Sequence, residues 1–117
     1  MRYTAHTQQL NCTVGKNILL ADSFFSRLRG LMFKKNMNDM DGLLITKCNS
    51  IHTFFMNFAI DLIFLDRQNK IVKIIRNVGP WRLTRFYFSA SKVLEMMGGS
   101  LPLEIKEGDR LEFLCIN

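Results

Sequence analysis

The chain has 117 residues, 48% of them apolar, and a net charge of +6 at neutral pH. That length suits one domain over residues 1–117 with a core that needs no metal or disulfide staples, and the composition excludes a disordered or collagen-like chain. The three cysteines, Cys12, Cys48 and Cys115, are odd in number and lack zinc-ligand spacing, which points to reduced thiols and leaves no metal or cofactor expected.

The opening MRYTAHTQQLNC is polar from Thr4 to Gln9 and holds no apolar signal core. No window reaches the roughly 18 consecutive apolar residues of a spanning helix, so a soluble, cytoplasmic protein is expected. KNILLADS ends an apolar strand-like run and offers Asp22 or Ser23 as a helix N-cap. In FFSRLRGLMF, Phe24, Leu28 and Leu31 share one helical face, Arg27 lies at its polar edge, and Gly30 marks the last turn. KKNMNDMDG is a polar connection.

Downstream the period shortens to that of strands. GLLIT (Gly42–Thr46), IHTFFM (Ile51–Met56) and IDLIFL (Ile60–Leu65) are rich in β-formers. DRQN, a turn, joins the last of these to KIVKIIR (Lys70–Arg76), which predicts a hairpin. GPW (Gly79–Trp81) breaks the sheet. SKVLEMM is a strand or short helix stopped by Gly98 and Gly99, and KEGDRLEFLCI is a turn followed by a terminal strand. The expected fold class is mainly β, with α+β as the variant: a compact sandwich or barrel carrying one helix in its N-terminal half.

Charge is unevenly spread. Lys70, Lys73, Arg76, Arg82 and Arg85 lie in a stretch, from Arg67 to Lys92, that holds no acid after Asp66 and before Glu95. Such a block is either an anion or nucleic-acid surface or a solvated strand face.

The polar residues of SIHTFFMNFAIDLIFLD (Ser50–Asp66) are the best candidates for chemistry. Asp61 shares a strand face with Ile63 and Leu65, and a buried carboxylate must be paired, hydrogen-bonded or protonated. One reading is a structural ion pair with Arg27 or Arg29 that pins helix to sheet; the other is a general base or ligand contact. His52 is a core-edge histidine or a proton carrier in a cleft. Thr53 joins it in one site only where a bulge or strand end intervenes. Trp81, in the GPW loop, is a lid, a stacking platform or a plug for the open end of the fold. Glu95, between Leu94 and Met96, is expected to be half-buried as well. Nothing in the spacing selects His52, Asp61 and Glu95 as metal ligands, and no GxSxG, GxGxxG or phosphate-binding loop occurs. Cys48 stands four residues before His52, which by itself makes no dyad.

Six segments, RLRGLMFK, DGLLI, IHTFFMNFAIDLIFLD, GPWR, VLEMMGG and IKEGDRLEF, follow one another between Ala21 and Phe113. In that order they resemble a widespread prokaryotic family, domain of unknown function number 192. The resemblance implies a small mainly-β, jelly-roll-like sandwich with a helix near its start, and it implies no established activity. Some members of that family look secreted or membrane-anchored, and the present chain is expected to differ in lacking a leader. The family's motif residues fall here on Arg29, Gly30, Leu31 and Met32, on His52, Thr53, Met56, Asp61 and Asp66, on Pro80 and Trp81, on Glu95, and on Gly108 and Asp109. The chain departs from the pattern at Asn57 and at Ala59, where many members have proline.

Three functional classes follow. The first is a binding module for a small polar or anionic ligand, carbohydrate or nucleotide-like, held by Arg29, His52, Thr53, Asp61, Trp81 and Glu95. The second is an enzyme with His52 and Asp61 as an acid–base pair. The third is nucleic-acid binding through the 67–92 segment. A monomer or a homodimer suits all three.

Overall fold

The computed structural model describes residues 1–7, 12–37 and 40–116, except for the side chains of Phe24, Phe25 and Leu28. In chain order the elements are β1 (Arg2–Thr7), β2 (Thr13–Ala21), α1 (Phe24–Arg29), β3 (Gly42–Thr46), β4 (Ile60–Leu65), β5 (Ile71–Val78), β6 (Lys92–Met97) and β7 (Leu111–Cys115). They form one seven-stranded sheet in the order β5-β4-β6-β3-β2-β1-β7. The architecture is mainly β with one helix in the N-terminal half, as the patterning predicts, and the sheet curls into a half-barrel.

β3, β4 and β6 lie inside the sheet and are covered on both faces, which is why GLLIT, IDLIFL and KVLEMM are nearly continuous apolar runs. KVLEMM resolves as strand rather than helix because Glu95 pairs across to Leu43 on one side and Leu62 on the other. The β4–β5 hairpin turns at Asp66–Asn69. Asp66 Oδ1 accepts from the amides of Gln68 and Lys70 at 2.9 Å each, and Asn69 takes the left-handed conformation (φ 63°) that the turn needs.

β2 and β3 are parallel and therefore need a crossover. α1 supplies its first part. Ser23 caps the helix by accepting from the Ser26 amide, and the Ser26 hydroxyl accepts in return from the Ser23 amide. Gly30 ends the helix at φ 50°, a conformation that favours glycine.

The edge strands β5 and β7 approach each other at one end of the curl. Leu111 donates its amide to the Asn69 carbonyl at 2.9 Å, Ile71 to Asp109 at 2.8 Å, and Gly108 to Ile71 at 2.8 Å. These bonds satisfy groups that an open sheet would leave bare at both edges.

Strand parity sorts the core into two layers. On one face lie Ile63, Leu65, Leu44, Leu94 and Met96 with Ile18 and Leu111. On the other lie Ile60, Leu62, Phe64, Leu43, Ile45 and Val93, covered by Leu31, Met37, Ile51 and Met56 from the connections. Each such fully buried side chain contributes about 1.5–3 kcal/mol. The second face carries the candidate site.

One strand goes unannounced in the residues, and one expectation changes. β1 is a strand although RYTAHT looks polar: its inward positions are Ala5 and Thr7, and alternation with such small groups leaves little hydrophobic signal. Ile51–Met56 is not a strand. Only His52 forms a bridge, to Leu83, and the chain turns where the Met56 amide meets the Thr53 carbonyl at 3.2 Å. Phe55 there adopts φ 63°, which no regular strand accommodates. Among the described residues no helix is long and apolar enough to cross a membrane.

Candidate functional site

β6 points Glu95 into the second core face, with Leu43 and Leu62 directly across from it. The residue is 2% exposed, and its Oε1 has no hydrogen-bond partner among the described residues. Burial pushes its carboxyl up to about 8, so the protonated, neutral form prevails at pH 7. A carboxyl in this state both donates and accepts a hydrogen bond. Folding does not explain it, because an apolar side chain at the same point in the sheet would avoid the cost of dehydrating the group.

Glu95 faces a cavity of about 110 Å³ between the sheet and the end of α1. Arg27, Arg29, Cys48, His52 and Met56 contribute to its walls. Gly30 forms part of the roof: a side-chain carbon at that position would stand 3.7 Å from Glu95 Oε1. Arg27 is braced by a 2.6 Å bond from its guanidinium to the Asp22 carbonyl, and Arg29 is exposed. Cys48 donates its thiol to the Ser50 carbonyl at 3.1 Å, and burial pushes that thiol above its ordinary value, so it is not a thiolate at neutral pH. His52 Nδ1 accepts from the Phe54 amide at 3.3 Å, and its ring stacks on Phe54 at 5.1 Å. The bond assigns the acceptor role to Nδ1, which places the ring proton on Nε2 in the neutral form.

Of the sequence candidates, Arg29, His52 and Glu95 therefore meet around one cavity, together with Arg27. Asp61 does not join them. It pairs across from Met96, one residue out of step with Glu95, and so points to the opposite face of the same sheet. The expected tie to Arg27 or Arg29 is replaced by backbone. Oδ1 accepts from the Asn77 amide at 2.8 Å, and Oδ2 from the Gly99 and Leu101 amides at 3.0 and 3.1 Å. Asn77 lies in a bulge of β5, where Ile60 and Leu62 face Val78 and Ile75 and the amide between them loses its ladder partner. Asp61 supplies that partner and anchors the turn after β6 as well. An acid–base pair of His52 and Asp61 fails on this geometry, since the sheet separates the two side chains.

Thr53 is also spoken for. Its Oγ1 donates to the Gly79 carbonyl at 2.7 Å and accepts from the Arg82 amide at 2.8 Å, while its backbone binds the Trp81 and Arg82 backbones. It clamps the 79–82 loop. Trp81 does not line the cavity; it is exposed and packs against Phe54 and Phe55.

The basic block divides into separate groups. Lys73 lies 3.9 Å from Glu107, and Arg76 caps the carbonyls of Leu101 and Pro102 at 2.8 and 3.1 Å, so both hold the 101–107 loop. Lys70 bridges to Arg110 across the closing edge. Arg82 and Arg85 remain exposed on the segment after Gly79. No three His, Cys, Asp or Glu side chains among the described residues gather into a metal-binding group.

Sequence reasoning does not single out Cys48 and Arg27 as cavity residues. The only signal is the short interval from Cys48 to His52, which carries no information about where α1 will lie.

The family model of DUF192, described as "Uncharacterized ACR", matches residues 5–113. A UPF0127 protein of Thermococcus kodakarensis is 36% identical over 113 residues, covering 89% of this chain and 71% of its own. A UPF0127 protein of Pyrococcus furiosus is 38% identical over 112 residues, covering 89% of this chain and 96% of its own. A crystal structure of a protein of unknown function from Novosphingobium aromaticivorans superposes with a TM-score of 0.79 at 22% identity, covering 96% of this chain and 84% of that one. A crystal structure from Sinorhizobium meliloti, described as that of a "putative transcription regulator", gives 0.78 at 24% identity, with coverage of 96% and 92%. At these identities the two structures share the fold alone, whereas the match of the family model along nearly the whole chain shows that this protein belongs to the DUF192 family.

Proposed function

We propose that the chain is a single-domain binding module that takes a small polar or anionic group into the cavity between Glu95, His52 and the end of α1. The observation that carries this reading is the carboxyl of Glu95, buried in the middle of the sheet with an oxygen that no described residue bonds. A ligand hydroxyl, carboxylate or phosphate oxygen would complete it. Arg27 and Arg29 at the helix end favour negative charge on such a group. His52 Nε2 adds a donor.

Size narrows the class. Sites that enclose a drug-sized ligand measure about 300–1,000 Å³, and this cavity measures about 110 Å³. It suits one sugar-sized or smaller group, or the phosphate end of a nucleotide whose base stays outside. The test is a thermal-shift and NMR titration with inorganic phosphate, small carboxylates, monosaccharides and nucleoside monophosphates. One ligand is expected to raise the melting point of the wild type, since saturation at 100 Kd adds about 2.7 kcal/mol, and to shift the His52 ring signals. Glu95→Met should abolish both effects. Silence across the panel, or the same response from Glu95→Met, overturns the reading.

A further inference from the structure

Beyond the cavity, three aromatic residues share an unusual conformation. Phe33, Phe55 and Trp81 have φ of 65°, 63° and 63°. Bulky side chains rarely enter the left-handed region, and they stay there only when their surroundings hold them. These three come from three separate connections, yet they meet. The Phe33 and Phe55 rings lie 5.2 Å apart, and Phe55 stands edge-on to Trp81 at 4.7 Å. The backbone arranges the meeting: the Phe33 amide bonds the Phe55 carbonyl, and the Trp81 amide bonds the Thr53 carbonyl. All three rings nevertheless face solvent, at 65%, 46% and 60% exposure. A core would not account for strained backbone spent on exposed rings.

The stretches immediately around the three rings carry charge of one sign, although the first connection ends in Asp39 and Asp41, the latter held by the Lys16 and Asn17 amides. Residues 27–37, 47–58 and 79–91 contain no Asp or Glu, and they hold four, one and two Lys or Arg residues respectively. Lys35 follows the first ring closely, and Arg82 and Arg85 follow the third, all exposed. Leu83, between the two arginines, is 70% exposed. An apolar knob flanked along the chain by exposed cations complements a surface that is negative at its face and apolar just beneath.

From this cluster we propose that the Phe33–Phe55–Trp81 knob docks the protein on an anionic lipid bilayer, with the rings and Leu83 entering the interface and Lys35, Arg82 and Arg85 at the headgroups. A nucleic acid fits less well. Base stacking needs open flat ring faces, whereas Phe55 and Trp81 cover one another edge to face and Leu83 has no ring. The docking is independent of the Glu95 cavity, although Phe54 joins the two, stacking on His52 and packing against Trp81 at 5.8 Å.

The experiment uses the full chain with vesicles of phosphatidylcholine alone and of phosphatidylcholine mixed with phosphatidylglycerol. Trp81 is the one tryptophan and reports directly. Sedimentation with the anionic vesicles, a blue shift of Trp81 emission and loss of both in high salt are expected. Glycine adopts φ near 64° without strain, so Phe33→Gly with Phe55→Gly removes two rings and keeps the backbone. That variant should melt no lower than the wild type and bind anionic vesicles at least about tenfold more weakly. Absence of vesicle binding at low salt overturns the proposal. Undiminished binding by the double glycine variant does so too, as does binding of an oligothymidine strand with vesicles ignored, or a concentration-dependent dimer that buries the rings.

Discussion

Glu95→Met should make the protein more stable, by an amount that depends on pH. In the unfolded chain the carboxyl titrates near its ordinary 4.5, whereas burial holds it up to about 8 in the fold. Below pH 4.5 both states are protonated and the group adds no pH-dependent penalty. Between 4.5 and 8 the unfolded state releases the proton that the folded state keeps, so stability falls as pH rises, by about 1.4 kcal/mol per pH unit. At pH 7 the accumulated loss is on the order of 3 kcal/mol. Methionine is similar in length, unbranched and without charge, so it removes the loss while filling the space between Leu43 and Leu62. Urea denaturation of both proteins at pH 4.5, 6, 7 and 8 checks this. The variant should lead by about 3 kcal/mol at pH 7, roughly 10 °C in melting temperature for a domain of this size, and the lead should shrink toward pH 4.5. A difference that ignores pH, or a variant less stable than the wild type at pH 7, would refute the account of Glu95 as a buried group without a structural partner.

Asp61→Asn keeps the shape but sets an NH2 group in place of one carboxylate oxygen, against one or two of the three backbone donors, and should cost about 2–4 kcal/mol in urea denaturation, with amide exchange accelerated around Asn77, Gly99 and Leu101. Thr53→Val should cost about 1–2 kcal/mol and speed exchange at the Arg82 amide, because the hydroxyl that holds Gly79 and Arg82 is lost. Arg76→Leu should leave the sheet folded while exposing the 101–105 turn to limited proteolysis, since Arg76 caps the carbonyls of Leu101 and Pro102.

Elements governed by near neighbours in the chain are legible in the residues alone. IDLIFL-DRQN-KIVKIIR is a hairpin because its turn chemistry and apolar runs are local, and α1 begins at Ser23 because a cap acts within three residues. The central strands betray themselves by continuous hydrophobicity, and alternation alone places Asp61 with Ile63 and Leu65. The partners of Asp61 are not legible in this way. Backbone amides belong to every residue, so no residue type announces that Asn77, Gly99 and Leu101 will bind it, and an arginine looks the better candidate. Whether two buried carboxyls share a site depends on register across β4 and β6, and a shift of one residue sends Asp61 and Glu95 to opposite faces. The gathering of Arg27, Cys48, His52 and Glu95 requires the crossover to fold back over the sheet, and the surface knob requires three connections to meet with left-handed residues at their tips. Short-range hydrogen bonding and periodicity determined the helix, the hairpin and the central strands, while long-range packing decided β1, the 51–56 connection and which side chains face one another.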